Sequence, residues 1–222
     1  MEIEFLTRNI QSNDWATAIF AIALIIIAYN KWVFSAQFSD FSRLLISKKY
    51  IKMYKEETNL KSWFTMSMTF IQFLSLSFFI HIFLSKISHN EMNNFVHFIQ
   101  ILNILCFLII SKYIIEKIIG ICFSIENLID QYSLIKVSYR SYIGILLLPI
   151  VMIYFYNPNI TPIFLYITTA IIAIVNVFIY FIIIKTYQKQ IGSYFYYFIL
   201  YLCTFEIAPY YILYKWYINS GI

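Results

Sequence analysis

IFLYITTAIIAIVNVFIYFIII, residues 163–184, carries no charged side chain, and Asn176 is its one amide. A helix needs roughly 20 apolar residues to cross the hydrocarbon core of a bilayer. Helices and closed barrels are the structures that satisfy every backbone polar group there. The run is too long and too continuous for a barrel strand, so it reads as a membrane-spanning helix. Its composition is not local. The chain of 222 residues is 61% hydrophobic and 12% charged, whereas soluble domains carry about a quarter charged residues.

Five more runs of the same kind flank it. Spans are expected over 15–32, 63–84, 95–115, 137–156, 163–184 and 194–216. The expected fold is therefore all-α, a single polytopic helical bundle of about six spans over 1–222. Aromatic residues mark many of the ends, among them Trp15, Trp32, Trp63, Tyr156, Tyr194 and Trp216, as interfacial belts require. The acidic N-terminal stretch is the wrong charge for a signal peptide, and none is expected.

Lysine and arginine set the expected orientation. The first inter-span segment holds Lys31, Arg43, Lys48, Lys49, Lys52, Lys55 and Lys61. The third holds Lys112, Lys117, Lys136 and Arg140, and the fifth Lys185 and Lys189. The opposite side has Arg8, Lys86 and Lys215. Positive charge stays in the cytoplasm, so both termini are expected on the outer, periplasmic side. Basic residues confined between spans encode topology, so the net charge of +5 does not call for nucleic acid as a partner.

Segment 31–62 has its own pattern. Phe34, Phe38, Phe41 and Leu45 recur at helical spacing, serines and Arg43 fill much of the other face, and KKYIKMYK follows at 48–55. This reads as an amphipathic helix on the anionic inner leaflet, with docking of a protein partner as the alternative.

The chemistry-bearing candidates are few. Glu206 lies beside the midpoint of the span 194–216, where an ionised carboxylate costs at least ~2.5 kcal/mol. Pro209 cannot donate to the carbonyl of Phe205, so a freed carbonyl adjoins the acid. Gln72, Asn103 and Asn176 sit within about a turn of their own span centres. With Glu206 they could form one hydrogen-bonded polar layer, either as structural glue or as a proton or ion site. Lys112 and Glu116 are four apart, which suggests an interfacial ion pair on one helix. The apolar pattern there continues to about Phe123, so that helix should outrun the bilayer. Asn13, Asp14 and Trp15 read as an outward helix cap, with Asp14 favourable at the positive end of the helix dipole; an outward interaction site is the alternative. His81 and His97 could face one another and hold a haem or metal, but interfacial histidines are the favoured reading. The cysteines show no paired spacing, and no phosphate-binding, zinc-protease or serine-hydrolase motif occurs. No catalytic residue, resident metal or cofactor is expected. Glycine is scarce, so close GxxxG packing is not the expected theme. All four prolines fall in the second half, which argues against an inverted repeat.

Two segments carry a family resemblance. Asn13-Asp14-Trp15 leads into the first span, and LYLCTFEIAPYYILYK closes the chain in the form YLCT-x-E-I-x-P. The chain resembles a family of uncharacterised integral membrane proteins of Bacteroidota, a domain of unknown function. The resemblance implies a Gram-negative inner membrane, makes Glu206 and Pro209 signature residues, and carries no activity. The first functional expectation is a non-enzymatic structural or accessory subunit of an envelope assembly, with a membrane protein as its possible partner. A small proton- or ion-coupled transporter using Glu206 is the alternative, and a redox subunit using His81 and His97 the third.

Overall fold

In the computed structural model, residues 14–44, 62–88, 94–122, 126–157 and 161–187 are described. The sixth expected span, with Glu206 and Pro209, lies outside the described residues, as do Asn13 and the basic run 48–55. The described residues form helices without a strand: α1 Asp14–Val33, α2 Ser35–Ser42, α3 Trp63–Ser88, α4 Phe95–Cys122, α5 Glu126–Tyr156 and α6 Pro162–Tyr187. All but α2 are long and apolar enough to cross a membrane. The chain is an all-α helical membrane bundle.

Local chemistry explains several ends. Asn94 caps α4, its Oδ1 accepting the His97 N–H at 3.2 Å, a bond to one of the four unpaired amides of a helix start. Pro162 opens α6, where a missing N–H costs nothing. Asp14 stands in the first turn of α1. Pro149 lies inside α5 and leaves the Ile145 carbonyl without its ladder donor.

Helix α3 is the centre of the bundle. It packs on α1, α4 and most extensively on α5, while α5 also meets α2, α4 and α6. In its most apolar stretch 56% of α3 is buried, against 11% for α4 and 17% for α6.

Two ends of the bundle are built differently. At one, Trp15 is the hub of an aromatic cluster. Its ring lies 5.8 Å from Phe78, 5.3 Å from Phe95, 5.4 Å from Phe98 and 5.7 Å from Phe155. Trp15 thus joins α1 to α3, α4 and α5, beyond the interfacial role expected of it. Tyr156 Oη lies 2.6 Å from Thr17 Oγ1 at the same end, tying α5 to α1.

At the other end sits α2. Its expected apolar face turns onto the bundle: Phe34 and Phe41 pack at 6.0 and 5.6 Å from Phe64 on α3, and Phe41 at 5.7 Å from Tyr142 on α5. Phe41 and Leu44 are buried. Protein covers this stripe because α3 and α5 offer it two aromatic rings at the point where the chain leaves α1.

Helices α4 and α5 outrun the other spans, with 28 and 31 residues. At 1.5 Å per residue these exceed the roughly 30 Å hydrocarbon core. The continuation of α4 was expected. That of α5 was not: it starts at Glu126, whereas the apolar run starts at 137. Asp130, Lys136 and Arg140 lower the hydropathy of its first turns, yet α4 runs alongside and supplies the partner for that half.

Candidate functional site

The polar chemistry of the described residues concentrates where α3, α4 and α5 meet. The approach of α3 to α5 is set by one glycine. A Cβ built on Gly144 would lie 2.6 Å from the Cα of Gln72 and 2.8 Å from its Cβ. Only a hydrogen side chain allows that contact, the same physics by which small residues let membrane helices pack closely. Scarcity of glycine therefore does not exclude close packing; here a single one suffices.

Beside this crossing, Ser141 Oγ donates to Gln72 Oε1 at 3.3 Å, and Thr69 Oγ1 lies 3.5 Å from Ser141 Oγ. All three side chains sit at the protein interior or its margin. An amide at this depth would be costly unpaired; the hydroxyl of the next helix supplies the bond. Gln72 is thus intramembrane and hydrogen-bonded, with its partner on α5. Asn176 donates Nδ2 to the Ile172 carbonyl at 2.8 Å, on its own helix. Asn103 lies exposed on α4. Among the described residues, Gln72 is the member of the expected polar layer seen bonded across helices.

Nearer the α2 end lies an ion pair. Lys136 Nζ donates to Glu116 Oε1, and Ser133 Oγ donates to Oε2 at 3.2 Å. Both charged residues are 4% exposed. The ammonium also stands 5.1 Å from the centroid of the Tyr132 ring, within cation–π range. A buried ion pair holds only when further interactions satisfy its atoms; Ser133 supplies a hydrogen bond to the carboxylate and the Tyr132 ring faces the ammonium. Helical spacing assigned Glu116 to Lys112 at the interface. The structure instead buries the carboxylate and gives it a cation from α5, twenty positions along, because the antiparallel α4–α5 pair brings those turns to equal depth. Ser133 and Lys136 were not singled out from sequence; the signal available was a serine and a lysine three apart at the head of a span.

The two histidines do come together. The rings of His81 and His97 are 5.9 Å apart and tilted by 55°. His81 is fully buried, edge-on to Trp15 and Phe98. Among the described residues no group of three or more His, Cys, Asp or Glu side chains could hold a metal.

A second polar tie joins α1 to α3. Asn30, 1% exposed, donates Nδ2 to the Ile26 carbonyl at 2.8 Å and accepts from Ser67 Oγ at 2.9 Å. Tyr154 Oη, 2.7 Å from Thr168 Oγ1, does the same between α5 and α6. Among the described residues, side-chain hydrogen bonds thus join α1 to α3, α1 to α5, α3 to α5, α4 to α5 and α5 to α6.

The family model described as Domain of unknown function (DUF4271) matches residues 16–217. The chain belongs to the DUF4271 family. The match begins two residues into α1, takes in the other described helices and extends over the terminal stretch with Glu206 and Pro209. No curated protein and no solved structure matches the chain. This DUF4271 protein is accordingly a membrane protein of an uncharacterised family, and its chemistry rests on its own residues.

Proposed function

We propose that this DUF4271 protein is a non-enzymatic structural or accessory subunit of an envelope assembly. The observation that supports it is how its polar groups are used. At the α3–α5 crossing, the Gln72 amide meets Ser141, and Gly144 brings the backbones together. Polar atoms bonded to one another across a tight helix contact favour a fixed scaffold over a solvated path. The 13 basic residues between alternate spans, against three on the other side, support an inner-membrane protein with both termini periplasmic. The YLCT-x-E-I-x-P ending supports a Bacteroidota origin. In that orientation the α2 end faces the cytoplasm, and the basic run 48–55 meets the anionic inner leaflet.

Detergent extraction and affinity purification of the full chain, followed by mass spectrometry, test the reading. A stoichiometric membrane partner is the expected result. A chain that purifies alone, and whose reconstituted vesicles acidify or alkalinise on imposing an ion gradient, overturns it.

Such vesicles also test the second reading, a proton- or ion-coupled transporter. Its support is Glu206 at the midpoint of a span, followed by Pro209. Glu206→Gln keeps a hydrogen-bonding head group and cannot ionise. If cells carrying it retain the protein's role, the transporter reading fails. The third reading, haem or metal between His81 and His97, has the 5.9 Å ring pair in its favour. Purified protein without a Soret band or bound transition metal ends it.

A further inference from the structure

Helix α4 is the least covered of the spanning helices, yet it carries two amides where lipid would be. Val96, Gln100, Asn103, Phe107, Ile110 and Ile114 are all exposed, and they recur at alternating steps of four and three. That is the 3.5-residue repeat of a left-handed helix pair, in which one stripe stays against its partner over many turns. Asn103 lies two positions from the centre of the expected span 95–115, and Gln100 about a turn and a half from that centre. Among the described residues, these are the amides left exposed inside a span. Elsewhere amides are spent internally: Asn30 and Asn176 on their own helices, Gln72 on Ser141.

An amide facing hydrocarbon without a partner is expensive. Helix pairs in membranes lack a hydrophobic driving force, so packing and such hydrogen bonds decide association. An amide is also self-complementary. It donates through its NH2 and accepts through its carbonyl, so two copies of one asparagine satisfy each other across a two-fold axis. We infer that the exposed stripe of α4 is a homodimer interface, in which Asn103 and Gln100 bond their counterparts in a second copy of this chain.

Membrane insertion gives both copies the same orientation, so the axis runs along the membrane normal and the two α4 helices are parallel. Identical positions then face each other, as an isologous contact demands. A single polar residue in an apolar seam also fixes register. Lys117 continues the stripe beyond the expected span, where its long stem can carry the ammonium out to water. Two ammonium groups facing each other in that zone repel weakly, because solvent and salt screen them.

The test uses the full chain in vesicles of phosphatidylethanolamine and phosphatidylglycerol. Single-molecule photobleaching of singly labelled wild type at high lipid dilution should give two-step traces. Asn103→Leu should weaken the pairing about 3- to 15-fold in lipid titrations, the range measured for interhelical polar contacts. Independently, single cysteines are introduced with Cys106, Cys122 and Cys203 replaced by serine, and oxidised in the membrane. Positions 100, 103, 107 and 110 should give disulfide-linked dimers; Leu105→Cys and Ile109→Cys, on other faces of the helix, should not. Single-step traces in wild type, or cross-linking without that periodicity, overturn the proposal. So does a link within one chain from position 103 to a cysteine at 206, which would give this stripe to the chain's own last apolar run.

Discussion

Helices α3 and α4 are near equals as sequences and opposites as structure. Both are long and apolar, yet α3 is the most buried span and α4 the least. What separates them is where their polar side chains stand. Helix α3 carries Thr65, Gln72, Ser75, Ser77, His81 and Ser85, all buried. Helix α4 buries Glu116 near its end and presents mainly isoleucine and phenylalanine outward, with Gln100 and Asn103 as the amides among them. In water, greasiness marks the inside of a protein. In a bilayer greasiness is everywhere, and hydroxyls and amides mark the inside instead, because only protein can satisfy them. A small polar side chain on α3 is therefore a better indicator of position than any leucine.

The sharpest way to break that contrast is at the one place where α4 holds a buried charge. Lys136→Ala leaves the Glu116 carboxylate uncompensated and should cost ~3–5 kcal/mol, read as loss of folded protein in thermal unfolding monitored by size exclusion. The double change Glu116→Gln with Lys136→Met should recover most of it, since replacing both partners of a buried pair is often neutral. A double variant no more stable than the single would show that Lys136 has another essential partner. Next comes the α3–α5 crossing. Gly144→Ala puts a methyl 2.6 Å from Gln72 Cα, and separating the backbones should cost ~1–3 kcal/mol. An unchanged melting curve would mean that the two helices are not so close. Ser141→Ala removes the Gln72 bond at a smaller cost, about 0.6 kcal/mol, and combined with Gly144→Ala it should be less than additive because the sites share Gln72. The smallest effect belongs to the outer helix: Ile118→Leu, on an exposed face of α4, should stay within about 0.5 kcal/mol. A larger loss there would mean that protein covers that surface.

Much of this bundle can be read before any coordinates. The expected spans 15–32, 63–84, 95–115 and 163–184 lie within α1, α3, α4 and α6, whose ends differ by a few residues, because desolvation of the backbone forces helix wherever apolar residues run long enough. The start of α5 was hidden, since charged residues there are stabilised by a neighbour rather than by their own run. Partner choice was hidden for the same reason. Glu116 and Lys112 share a helix face, and sequence shows such spacing directly; Glu116 and Lys136 meet only once α4 and α5 lie side by side. Gln72 was visible as an intramembrane amide, but Ser141 was one serine among many. The apolar stripe of α2 was visible too, though its pattern alone could not distinguish a leaflet from the rings of Phe64 and Tyr142. Glu206, the most conspicuous residue of the sequence, lies beyond the described helices, and Glu206→Gln remains its direct test.

The bond between Thr17 and Tyr156 also sets a schedule. Its two ends are 139 positions apart in the chain. At 5–20 residues per second of synthesis, Thr17 waits on the order of ten seconds for its partner to be made. Asn30, by contrast, meets Ser67 only 37 positions later. The first helix is therefore clasped early at the end near α2 and late at the end near Trp15. A nascent chain interrupted before Tyr156 would leave the ribosome with one end of α1 hydrogen-bonded and the other held only by the rings around Trp15, and that half-clasped state is what chaperones and membrane proteases would meet.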